Sequence, residues 1–160
     1  MLNYVNNMRI LSSALACLIS VSVFGQQTYV PDNWFEAYLE NNGMGNGIQY
    51  DDSVFTSAID TVIYLDLSYG AGQAIGVFDL TGIEDFIGLV SLECEDNSLT
   101  FLDLSNNSNL VDLICAENPI SYLNMNNGNN SNILRFWSLL CFNLTCIEVD
   151  DPIWSTNNWI

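Results

Sequence analysis

Residues 89–125, LVSLECEDNSLTFLDLSNNSNLVDLICAENPISYLNM, state one pattern twice. Leu89, Leu92, Cys94 and Asn97 return 21 residues later as Leu110, Leu113, Cys115 and Asn118. Each 21-residue unit also holds two similar halves, because Leu99, Leu102, Leu104 and Asn107 follow the same spacing. The template continues through Ile120, Leu123 and Met125, with Gly128 at the asparagine position. After a two-residue insertion in 126–130 it runs on through Ile133, Phe136 and Ser138, then Leu144, Ile147 and Val149. A period of this length predicts a solenoid, in which each coil buries its apolar face against its neighbours. Within each half, alternation predicts a short strand with Leu92 and Cys94 inward and Glu93 and Glu95 outward. The asparagines fall where the chain leaves the strand, and their amides can satisfy the backbone groups freed by the bend.

The LxxLxLxxNxL pattern resembles the leucine-rich repeat. The form with two signatures per turn and cysteine in the third apolar place resembles secreted repeat proteins of flavobacteria and related Bacteroidota. Three further segments resemble that family's parts in its order: 28–36 its opening helical cap, 79–86 its entry into the regular repeats, and 143–151 its closing coil. The resemblance implies a leucine-rich repeat solenoid, with short parallel strands on two faces of each coil and little helix beyond the cap. It also implies a non-catalytic binding or adhesion module. The chain departs from the family at 137–142, where WSLLCF replaces a polar, asparagine-rich turn, and it stops where relatives continue to a later cysteine and often a sorting domain.

The N-terminal cap is also readable from the residues. Pro31 and Asp32 are helix-start residues, Trp34, Phe35, Tyr38 and Leu39 share a helical face, and Asn41-Asn42-Gly43 ends the run. Residues 61–68 read as a first coil strand, and the glycine-bearing stretch 69–76 as a loop. Ahead of these, one positive charge precedes the apolar run Ile10 to Phe24, which predicts an export signal with the mature chain starting near Gln26. The run is short for a membrane span, so no membrane insertion is expected after its removal. A lipoprotein signal ending at Cys17 is the disfavoured rival. The expected organisation is a signal peptide over 1–25, a cap over 26–60, a repeat solenoid over 61–152 and a short tail over 153–160, whole or truncated. The expected location is secreted, extracellular or at the cell surface, with the periplasm as an alternative.

Beyond residue 25, one arginine faces 19 acidic residues, leaving −18. Nucleic acid and anionic lipid are therefore poor partners. With no histidine in the chain, histidine-activated nucleophiles and histidine metal sites are excluded. Glu93 and Glu95 could serve carboxylate chemistry on glycans only within a cleft that separates their pKa values. An exposed acidic strand face is the better reading, and no enzyme activity, cofactor or metal is expected. Cys94 and Cys115 are expected as buried thiols, whereas Cys141 and Cys146 are a possible disulfide in an oxidising compartment.

Stacking outward residues by register gives the candidate surfaces. Glu93 lies over Ile114 and then Trp137, and Glu95 over Ala116 and then Leu139. That face turns from acidic to apolar along the solenoid. On the other face Phe101 stacks on Tyr122. Trp137, Leu139, Ile114, Ala116, Phe101 and Tyr122 are thus the candidate contact residues, for protein or glycan at the cell surface. Self-association through the C-terminal apolar end, or cover by residues 153–160, is open, as is a role as a structural piece of a longer surface protein.

Overall fold

A computed structural model describes residues 25–68 and 76–159. The export-signal and Cys17 expectations, and the loop expected at 69–76 except for Gly76, fall outside the described residues. The chain opens with strand β1 (Gln27–Tyr29), helix α1 (Asn33–Asn41), strand β2 (Ser53–Phe55) and helix α2 (Thr56–Ile59). Strands β3 (Tyr64–Asp66), β4 (Ser91–Glu93), β5 (Phe101–Asp103), β6 (Asp112–Ile114), β7 (Tyr122–Asn124), β8 (Arg135–Trp137) and β9 (Cys146–Glu148) follow, and helix α3 (Pro152–Asn158) closes the chain.

The strands sort into two parallel sheets, β3-β4-β6-β8 and β5-β7-β9. Together they build a β-solenoid of the leucine-rich repeat class. The 21-residue offset is the register itself: Leu92 pairs with Leu113, and Leu102 with Leu123. These leucines, with Cys94, Leu104, Cys115 and Met125, are buried between the two sheets. Stacking matters because a three-residue strand cannot bury enough apolar surface alone.

Asparagine amides hold the bends. Asn118 Nδ2 donates to the carbonyls of Cys94 (2.8 Å) in the preceding coil and of Cys115 (3.2 Å) and Ala116 (3.1 Å) in its own, while its Oδ1 accepts from Leu99 N–H (3.0 Å). Asn97 repeats the arrangement one coil earlier, donating to Leu67, Cys94 and Glu95 and accepting from Val77 N–H. On the other side Asn107 donates to Ile83 and Phe86. In the next coil the expected position, Gly128, is exposed with φ 79°. Asn130 takes the role instead, donating to Met125 O at 2.6 Å and accepting from Asp150 N–H at 2.8 Å, while Asn127 reaches back to Asn107 O. The two inserted residues move the amide along the chain, because the bend needs the group at a point in space.

At the N-terminal end β1 and β2 pair antiparallel, an element with no counterpart in the sequence reading. Asp32 is fully buried and joins cap to coil: Oδ1 accepts from Trp34 and Phe35 N–H at the start of α1, and Oδ2 from Phe78 and Asp79 N–H. The buried face of α1 is Phe35, Glu36 and Leu39, with Trp34 turned outward rather than sharing the face of Phe35 and Leu39 as expected. Phe35 stacks on Phe86 at 6.1 Å. Gly82 has φ 104°, and a Cβ there would lie 2.8 Å from Tyr29 O, so the approach of cap to coil requires glycine.

The far end closes differently. Asp151 caps α3 through the N–H groups of Ile153 and Trp154, and Pro152 occupies its first turn. Trp159 packs on Phe136 at 5.2 Å. The terminal segment therefore covers the end of the core, while Trp137 and Leu139 stay 56% and 73% exposed. Among the described residues no helix is long and apolar enough to cross a membrane.

Candidate functional site

The outer face of the first sheet has the expected stack: Glu93 beside Ile114, and Ile114 beside Trp137. The single described cation, Arg135, lies across it. Its guanidinium meets Glu93 at 3.0 Å and Asp112 at 3.6 Å, and sits 5.8 Å from the Trp137 ring centre. The ion pair to Glu93 joins β8 to β4 over the strand between them. Ile114 beneath is only 4% exposed, which removes it from the contact surface expected of it. The same pair commits Glu93 to a cation.

Past this bridge the face opens into a groove of about 730 Å³, lined on its apolar side by Ala116, Phe136, Trp137, Leu139, Leu140 and Phe142. Glu95 and Glu117 also line it, and Cys141 lies at its edge. Trp137 ends β8 in the sheet's outward register, and Leu139 follows two residues on, in the turn. Leu140 (45% exposed) and Phe142 (87%) come from the turn after β8 and were absent from the sequence-derived surface. The apolar run 137–142 was the signal for them, since residues at a bend follow no strand alternation.

The backbone at this turn repeats. Asp96, Glu117 and Leu140, each just before the ladder position, have φ 55°, 56° and 61°. Aspartate tolerates the left-handed region, whereas it is uncommon for glutamate and for leucine. Leu140 therefore carries a conformational cost and an exposure cost together.

Cys141 stands at the ladder position itself, its Sγ donating to Cys115 O at 3.2 Å, the link that Asn118 makes to Cys94 O. All four described cysteines are free thiols. The possible Cys141–Cys146 disulfide is not formed in this structure, where Cys141 turns into the core beside Cys115 and Cys146 is exposed on β9 of the other sheet. Burial pushes the Cys94 thiol well above its ordinary range. The hydrogen bond between Cys115 and Cys141, followed by burial, pushes Cys115 up.

On the second sheet Phe101 and Tyr122 stack at 5.2 Å with planes 6° apart, remote from the groove. A smaller hollow of about 280 Å³ beside Phe101 is lined by Asp79, Thr81, Glu84, Asp103, Ser105 and Asn106. Among the described residues, no group of three or more acidic or cysteine side chains is placed to hold a metal ion.

The fold and its polar ladders define the protein as a leucine-rich repeat solenoid. Among solved structures it is similar to the functional domain of InlJ from Listeria monocytogenes, a domain that includes a cysteine ladder, with 25% identity over 78% of this chain and a TM-score of 0.52. It also matches an internalin C2 from Listeria monocytogenes, with 18% identity over 78% of this chain and 70% of that one and a TM-score of 0.48. The chain spans 25% of the InlJ domain's length. No protein-family model and no curated protein matches it.

Proposed function

We propose that the chain is a secreted or cell-surface, non-catalytic binding module of the Bacteroidota repeat type, whose contact surface centres on Trp137 and Leu139. The observation that carries this reading is the groove: four large apolar side chains, Trp137, Leu139, Leu140 and Phe142, stand exposed together on an otherwise acidic protein. Such a patch marks an interaction surface more often than a solvent face. A protein spanning more repeats would present the same groove, so a role within a longer surface protein is compatible with it.

Site-specific photo-cross-linking in producing cells tests the reading, with the cross-linker at Leu139 and, as control, at Asn124 on the second sheet. Discrete adducts from position 139 that vanish with Trp137→Ser support the groove. Adducts confined to position 124, or adducts from 139 indifferent to Trp137→Ser, reject it. The Phe101–Tyr122 stack favours a second reading, a glycan contact beside the polar hollow, because flat paired rings offer an apolar platform flanked by hydrogen-bonding groups. Phe101→Ala would abolish that contact and leave the groove adducts intact.

A further inference from the structure

Resting on the binding reading above, we propose that the groove takes a segment of a partner protein in which an apolar side chain is flanked by basic residues. The apolar half of this specification comes from Leu140. Its φ of 61° is shared with Asp96 and Glu117 at the equivalent places in earlier coils, where the side chains are acidic and the bend is held by the asparagine that follows. A leucine there serves neither the turn nor the core, since it is 45% exposed and lines the groove. Strained backbone persists at contact sites where the side chain it presents is needed.

The basic half comes from the walls. Glu95 and Glu117 line the groove and, among the described residues, take part in no ion pair, because Arg135 is held by Glu93 and Asp112. An apolar ligand flanked by acids would bring like charges against these carboxylates, and one flanked by bases would meet them with opposite charge. The same reasoning disfavours a second copy of this chain as the occupant. Beyond residue 25 each copy carries 19 acidic residues against one arginine, so two grooves brought face to face would oppose like charges.

Fluorescence anisotropy with labelled synthetic peptides tests the proposal on the purified chain. The probes are a leucine-tryptophan centre flanked by lysines, the same centre flanked by serines or by glutamates, and a serine centre flanked by lysines. The lysine-flanked apolar peptide is expected to bind about tenfold or more tighter than the other three, and to weaken with salt. Leu140→Asn, which relieves the backbone, and Trp137→Ser should each weaken it about tenfold while the variants remain folded. Glu95→Gln with Glu117→Gln should weaken only the lysine-flanked peptides. Asp103→Asn with Glu148→Gln, on the other sheet, should change nothing.

Equal binding of the serine-flanked and lysine-flanked apolar peptides would overturn the basic specification and leave the groove reading standing. Equal weakening by the distant acid pair would overturn the proposal in favour of diffuse charge attraction. A dimer by light scattering that Trp137→Ser converts to monomer, without peptide binding, would assign the groove to a second copy. No binding and no change of mass in any variant would reject the proposal and the groove reading together.

Discussion

Asn118 shows how much of this fold one side chain can carry. Its amide serves three carbonyls and one N–H of two successive coils in a buried bend. Asn118→Ala would leave several of these unpaired, and an unsatisfied buried polar group costs about 1–3 kcal/mol. A loss of roughly 3 kcal/mol in urea denaturation is expected. A loss under about 1 kcal/mol would mean that water replaces the amide. Leu140 is the opposite case, a residue whose replacement should help the fold. Leu140→Gly removes a left-handed leucine and should stabilise the chain by about 1 kcal/mol in the same assay. Glu36 supplies a pH dependence. It is fully buried, one carboxylate oxygen has no partner, and burial raises its pKa above 4.5. A carboxyl raised on folding contributes stability below its unfolded pKa, and that contribution is lost as pH rises through the folded value. Glu36→Gln should therefore gain melting temperature relative to the parent as pH rises from about 4 to 7. A gain independent of pH would place the cause outside titration.

At the scale of elements, the repeat strands were legible because alternation and period both act on the same leucines, and the predicted pairs Phe101 with Tyr122 and Ile114 with Trp137 are the observed ones. Register does not reveal what crosses a strand, however. Ile114 points outward by alternation yet is only 4% exposed, on the strand that the Arg135–Glu93 ion pair crosses. Helix α3 carried the signature Asp151-Pro152, a cap followed by a first-turn proline, but its brevity and mixed polarity gave no apolar periodicity to read. The groove was half legible, since strand alternation reaches Trp137 and Leu139 and stops before Leu140 and Phe142. The cysteines divide by element in the same way. Native alkylation followed by mass spectrometry should modify Cys146 on β9 first, and Cys94 and Cys115 only after unfolding. Protection of Cys146 released only by reductant would instead mean that it is oxidised in solution.

Across the whole molecule, burial falls from one end to the other. Phe35, Phe86, Leu92, Leu102, Leu113 and Leu123 are buried, whereas their successors Phe136, Leu144 and Ile147 are only partly covered, with Trp159 as the principal lid on Phe136. In a solenoid each coil is stabilised mainly by its immediate neighbours, so a coil with one good neighbour and a small helical cap opens most easily. The groove lies on that weakest coil, which leaves its turn free to adjust around an occupant. Hydrogen exchange should consequently show slow amides in β4 and β6, intermediate ones in β7, and fast ones in β8, β9 and α3. Trp159→Ala should speed exchange in β8 and β9 by about tenfold or more while leaving β4 unchanged, since tenfold is about 1.4 kcal/mol and a partly buried aromatic is worth a good share of the roughly 3–5 kcal/mol of a fully buried one. Uniform exchange along the chain would mean that the solenoid opens as one cooperative unit, and the ease of adjustment at the groove would then have no basis in local stability.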